Sequence, residues 1–463
     1  MSTVAELPSS RRSPGTEPAR KDAFFAGTIG TAIILVLLTA AGALISILKV
    51  PVEHHDVVWA EDAGLFLVEA AKTGPWNVIF DGYAGYQHLI PRVATAAILS
   101  FVPLSDFAFA VLIVCAVLTG LTAAAVYWLS RDLIPWIPGR LAVACITFLI
   151  PSSSQEVVGN LADIHSYCMW LVPWILLSRP RSWAGSAFWA VVAFVCAMTE
   201  IQALLFLPLV LLRLHPRHRI VWPVFAAFVA GIAWQGVTAV TEPRPSSPAW
   251  PGLAGIMEGY LYNTTLPLLF PRGASAISLI QTSGALIPAL LLVPFAVAGV
   301  VAFFLGSRWQ KIAVITLLVG STGVYAGGAI VDGSIGVDYE NNYGADFFDG
   351  FINLRYGVPA GMFLTALVPL AAAVLARRFD VDSRLRGWAV AVALLLVTGM
   401  LAVFVYANFR TESSRSAGGN WSEQIDVAAE TCAVAPASET VYIYYAPIRE
   451  IPLTCAQVLE YQP

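Results

Sequence analysis

Apolar residues run along this chain in long blocks rather than in a strict alternation with polar ones. The blocks cover Ala23 to Val50 and then 107–130, 138–151, 164–178, 183–198, 201–213, 219–240, 284–305, 312–330, 356–376 and 388–408. A helix of about 20 apolar residues crosses the hydrocarbon core of a bilayer. The blocks therefore predict an all-α polytopic membrane protein of about 11 transmembrane helices. Several blocks fall under about 17 residues and are expected to be short, tilted or paired as hairpins. Polar segments separate them and predict outer loops at 51–104, 152–165, 241–283 and 331–355. The domain reading is a disordered cytoplasmic segment 1–22, a transmembrane domain 23–408 and a small α/β tail 409–463 outside the membrane.

Composition narrows the class further. Hydrophobic residues make up 58% and charged residues 12% of 463, and the mean hydropathy is +0.73. Soluble domains carry about 25% charged residues. Too little polar surface remains to cover a water-soluble fold, which excludes a soluble enzyme, a nucleic-acid binder and a disordered chain. The first apolar block is too long for a signal-peptide core and reads as a signal anchor.

Charge then sets orientation. Arg11, Arg12, Arg20 and Lys21 precede the first block, and the loops near 131–140, 179–181, 213–219, 306–311 and 376–387 are basic. Together these hold seventeen of the 26 basic residues, so that side is expected to be cytoplasmic, with the N-terminus inside and the C-terminus outside. One apolar stretch, His88–Pro103, would invert every later loop if it crossed. It is therefore expected to lie on the outer face, with Pro91 in its first turn, where a missing N–H costs nothing.

Four cysteines, Cys115, Cys145, Cys168 and Cys196, sit in apolar blocks and read as small hydrophobes. Cys432 and Cys455 lie in the tail, where an oxidising compartment predicts one disulfide. No zinc or haem spacing occurs.

Candidate chemistry gathers in the outer loops. Trp59 to Ala71 has helical spacing, with Trp59, Ala63, Phe66, Leu67 and Ala70 on one side and Asp62 and Glu69 on another. The pair Glu61-Asp62 opens this helix. It carries two readings: carboxylates favourable to a helix N-terminus, or a general base held at an interface. Asn160, Asp163 and Tyr167 share a face at the start of the 164–178 block, as caps or as a second polar contribution that includes His165. Glu200, between two short blocks, is either a hairpin tip or a buried functional acid. The 331–355 loop interleaves five acids with five aromatics, a mixture suited to sugar hydroxyls and ring faces, and ends at Arg355. Arg355 reads as a headgroup anchor or as a clamp on a lipid phosphate.

These segments, in this order, resemble the GT-C superfamily of membrane glycosyltransferases that use polyprenyl-phosphate sugars. The resemblance rests on Trp59-Ala-Glu-Asp62 in the first outer loop, Gln87-His-Leu-Ile-Pro-Arg92 in a juxtamembrane segment, Asn160-Leu-Ala-Asp163 in the second loop, Thr199-Glu200 between paired helices and Arg355-Tyr356 at a span entrance. Gln87-His-Leu stands where relatives carry Pro-Pro-Leu, and Glu200 stands where many carry lysine. The resemblance implies that Asp62 is the catalytic base, with Glu61 second. It also implies a substrate-binding set of Asp163, His165, Arg355, Tyr83, His88, Arg92 and Glu200. The implied reaction moves a sugar from a polyprenyl-phosphate donor to an envelope glycan, glycolipid or protein acceptor on the outer face of a bacterial cytoplasmic membrane. A divalent metal is the only cofactor left open, with no ligand cluster behind it. The competing reading is a transporter or lipid-carrier flippase of envelope precursors, which would need broken helices and midplane charges.

Overall fold

The computed structural model describes residues 27–154, 156–214, 216–244, 250–271, 273–332, 354–378, 383–408, 413, 415 and 418–462. The 1–22 segment and most of the acid- and aromatic-rich 331–355 loop lie outside them. The chain is an all-α multi-pass membrane protein. Among the described residues, eight helices are long and apolar enough to cross a bilayer: Thr28–Lys49, Leu104–Asp132, Ile137–Ser154, His218–Thr241, Leu286–Leu305, Arg308–Val331, Arg355–Ala376 and Arg384–Asn408. The three remaining apolar blocks form shorter helical segments, His165–Leu177, Trp183–Ala197 and Ile201–Leu211. The last starts as a 3-10 turn, Ile201–Phe206, and becomes α-helical only at Pro208, which is tolerated in a first turn.

Arg355–Ala376 is the most enclosed of the long helices, and Trp170 packs edge-on against its Phe363 with ring centroids 5.3 Å apart. Trp170 also donates its indole N–H to Thr147 at 3.0 Å, so the buried indole is satisfied as well as packed. Backbones come close where side chains are absent. A Cβ on Gly120 would overlap the carbonyl oxygen of Thr39, which lets Phe107–Leu129 lie directly on Thr28–Lys49. Gly357 does the same against Asn263. Asn263 itself is buried and donates its side-chain amide N–H to the Tyr325 hydroxyl at 3.0 Å.

Contacts sort the helix ends into two groups. At one end Lys49 donates to the carbonyls of Phe148 and Ile150, Asn408 donates to Leu149, and the Leu89 N–H meets Met198. At the other, Arg131 reaches the carbonyl of Arg179, Gln310 reaches Leu133, and Arg213 reaches Ser178. Both ends of the Leu89–Phe101 helix lie with the first group. Its start meets Met198, while Ser100 accepts from Trp76, and just beyond it Leu104 accepts from Trp421.

The tail builds against that same end. Helix Trp421–Cys432, a hairpin of strands Thr440–Tyr445 and Arg449–Thr454, and helix Cys455–Tyr461 share a core with residues of the 58–111 region. Thr454 and Gln457 form a reciprocal capping box. A disulfide joins Cys432 to Cys455.

Candidate active site

The loop at 51–104 enters the site through an unusual backbone. Ala60 has φ +39°, in the left-handed region that side chains disfavour. Its N–H is held by the Ala446 carbonyl at 2.7 Å, and the Ala446 N–H returns a bond to Val58 at 3.1 Å. Asp62–Leu67 then forms a π-helical turn before the short α-helix Val68–Thr73. Such turns are rare and occur often at functional sites.

This geometry overturns the expectation of one continuous helix from Trp59 with Asp62 and Glu69 on a shared face. The wider π turn breaks the seven-residue register. Glu69 faces outward and pairs with Arg92 at 2.7 Å, whereas Asp62 is 0% exposed. The five apolar positions of the pattern, Trp59, Ala63, Phe66, Leu67 and Ala70, are all buried.

Asp62 points into the protein. Its two carboxylate oxygens accept the backbone N–H groups of Leu161 and Ala162, each at 2.9 Å. Burial pushes its pKa from 3.8 to about 7, against the pull of those two donors and of the buried Arg415 guanidinium. The carboxylate staples the loop at 152–165 to the loop at 51–104, and Asp62 is not among the residues that line the cavity beside Glu61.

Glu61 instead lines a cavity of about 310 Å³. Tyr83, Tyr86 and His88 of the first loop border it, as do Asp163, His165, Glu200, Gln202, Arg244, Arg355 and Tyr356. Seven of the nine residues singled out in the sequence therefore converge here. The two that do not are Asp62 and Arg92. Arg92 is buried, ion-paired with Glu69, and lies over the Phe66 ring with its guanidinium carbon 5.6 Å from the centroid. Its neighbours make it a structural cation rather than a wall of the cavity.

Around the cavity the charges interlock. His165 Nδ1 lies 2.6 Å from Glu200 Oε2, and its Nε2 lies 3.5 Å from Asp163 Oδ1. Asn160 donates to Asp163 at 2.8 Å, and Glu200 accepts the Gln202 N–H at 2.6 Å as a helix cap. Glu200, at the turn between Trp183–Ala197 and Ile201–Phe206, is thus a buried acid and not an exposed hairpin tip. Arg355 contacts Glu156 at 3.3 Å, and its guanidinium carbon sits 5.2 Å from the Tyr356 ring centroid. Burial pushes Glu156 up to about 8 despite Arg355, with the Asp163 and Glu61 carboxylates adding to the rise. His88 packs between aromatic rings, 4.0 Å from Tyr86 and 5.7 Å from Tyr83 by centroid. Burial, helped by the cations of His165 and Arg92, lowers its pKa to about 3, so it is neutral at neutral pH. Among the described residues, no group of three or more His, Cys, Asp or Glu side chains is arranged to hold a metal ion.

Sequence reasoning missed Glu156, Arg244, Gln202 and Tyr86. Glu156 lay within the second loop with no spacing relation to Arg355, 199 residues away. Arg244 comes from a loop with no other chemical signal. Tyr86 sits in the small hairpin Gly82–Tyr83 with Tyr86–Gln87, whose Gly85 has a positive φ of 85°. The sequence Gly-Tyr-Ala-Gly-Tyr is a turn signal that could have placed both tyrosines on one structure.

Chemically, the cavity offers the Glu61 carboxylate, buried acids bridged by one histidine, two arginines and several rings. That set can accept a proton from a hydroxyl, hold a phosphoryl group and stack on a sugar. No family model matches this chain, and no curated protein matches it.

Proposed function

We propose that this protein is a GT-C-type glycosyltransferase that moves a sugar from a polyprenyl-phosphate donor to a hydroxyl of a cell-envelope acceptor. The observation that carries the reading is the cavity that brings Glu61, Asp163, His165, Glu200 and Arg355 together from four distant stretches of chain. Convergence of titratable groups in a concave site is the usual mark of chemistry. The same residues in a transporter would be expected near the midplane, yet here they gather at helix ends.

In this reading Glu61, not Asp62, is the base. Its carboxylate takes the acceptor proton as the acceptor oxygen bonds to the anomeric carbon. The bond from that carbon to the phosphate oxygen breaks on the opposite face, and the configuration inverts. The leaving lipid phosphate keeps the electron pair and is stabilised by Arg355 and Arg244. Tyr83, Tyr86 and Tyr356 offer faces and hydroxyls to the sugar. Asp62 acts as a positioning residue that fixes Glu61 relative to Asp163.

The reading extends to topology. The helix ends support eleven crossings, with Leu89–Phe101 lying on the outer face, the basic ends in the cytoplasm and the cavity outside a bacterial inner membrane. Sugar nucleotides stay in the cytosol, so a lipid-linked donor fits an outer cavity. The test is turnover of radiolabelled polyprenyl-phosphate sugar by membranes with and without the protein. Sugar moved to an acceptor, with polyprenyl phosphate released, supports transfer. Donor moved across the bilayer intact would identify a flippase instead.

A further inference from the structure

At the end of the bundle opposite the Glu61 cavity, a second cavity of about 530 Å³ opens among Arg179, Arg181, Arg213, Asp132, Ile220 and Trp309. Arg213 is buried. Its guanidinium carbon lies 4.1 Å from the Trp309 ring centroid, and its Nη1 donates to the Ser178 carbonyl at 2.6 Å. The next carbonyl along, Arg179, accepts from Arg131 at 3.3 Å. The turn that presents Arg179 and Arg181 is therefore gripped from two sides. Among the described residues one acid borders the cavity, Asp132, 3.9 Å from Arg181. Three described cations face that one carboxylate.

Topology alone calls for arginines on this side of a membrane protein, but only as loose loop residues. It does not call for a buried, ring-stacked guanidinium or for three arginines around one hollow. A guanidinium carries five donors in a planar fork that matches phosphate oxygens. The remaining wall is apolar, with Leu133, Pro180 and Ile220 beside the indole. Basic pockets between helices at a cytoplasmic boundary suit lipid headgroups.

We infer that this cavity binds a phosphoryl anion, carried by an anionic phospholipid headgroup or by a free phosphate. The inference is independent of the glycosyltransferase reading, since no residue is shared between the two cavities.

The test uses full-length protein in detergent, titrated with phosphatidylglycerol, phosphatidylcholine and inorganic phosphate, with bound molecules counted by native mass spectrometry. Phosphatidylglycerol should bind about 10-fold or more tightly than phosphatidylcholine. The double variant Arg179→Glu, Arg181→Glu alters side chains at the surface turn and should fold normally, while losing about 10-fold or more of that affinity. Arg213→Lys keeps the charge and loses the fork, and should weaken binding several-fold. Displacement of the lipid by inorganic phosphate identifies the phosphoryl group as sufficient; failure of phosphate to displace it identifies the lipid as the source. Equal retention of the two lipids, or unchanged phosphatidylglycerol binding in the double variant, overturns the inference.

Discussion

Asp62 makes a quantitative test of the site's architecture through pH. Its folded pKa of about 7 stands above the ordinary 3.8. A carboxyl raised in this way contributes stability that is fully present below about pH 3.8 and is lost as pH rises through about 7. A rise of that size corresponds to roughly 4 kcal/mol over that window, at about 1.36 kcal/mol for each pH unit. Between pH 5 and 8 the part expressed is roughly 3 kcal/mol. Asp62→Asn removes the titration but also one acceptor, since an amide nitrogen cannot receive the N–H of Leu161 or Ala162. A buried donor left unpaired costs about 1–3 kcal/mol. The variant should therefore be less stable than wild type at pH 5 by about 1–3 kcal/mol, and the difference should move in its favour by roughly 3 kcal/mol on going to pH 8. Denaturant titration of the purified protein at pH 5, 6, 7 and 8 measures this. The comparison of variant with wild type isolates Asp62 from Glu156, which titrates in the same direction, and from His88, which titrates in the opposite one. A difference that stays flat across the range would refute a buried, titrating Asp62, and so would one that grows less favourable to the variant.

Two further outcomes follow from other parts of the structure. Arg355→Lys keeps a charge but loses the fork beside Glu156 and the stacking on Tyr356; KM for the lipid-linked donor should rise by about 10-fold or more, and an unchanged KM would return Arg355 to a helix anchor. Cys432 and Cys455 are 23 residues apart, so replacing both with serine should lower tail stability by roughly 3 kcal/mol, read by protease sensitivity of residues 421–461; equal resistance to wild type would show that the hairpin core suffices.

The membrane-spanning pattern was legible because lipid imposes it on every residue of a span. All eleven apolar blocks reappear as helical segments; of the four shortest, 138–151 is extended by flanking residues into the long helix Ile137–Ser154, while the other three stay too short to qualify by length. The convergence of Asp163, His165, Glu200 and Arg355 was legible in outline, since topology alone brings such loops to one side. What could not be read was which of two adjacent carboxylates faces the cavity. That depends on the left-handed turn at Ala60 and the π turn after it, and the Ala60 conformation is held by Ala446, nearly four hundred residues away. Where Arg92 would lie could not be read for a related reason. Its motif position suggested a ligand, but Glu69, 23 residues earlier, lies close enough in space to claim its charge.

The most direct measurement of the central claim is the transfer rate from polyprenyl-phosphate sugar for Glu61→Gln set beside Asp62→Asn, each normalised to folded protein in the membrane. Glu61→Gln should insert and fold as wild type does and lose on the order of 10²-fold or more in rate, the scale of a general base. Asp62→Asn should retain more activity than Glu61→Gln once normalised. Full activity in Glu61→Gln would contradict the assignment of the base, and full activity in Glu61→Gln, Asp163→Asn and Glu200→Gln alike would contradict glycosyl transfer at this cavity.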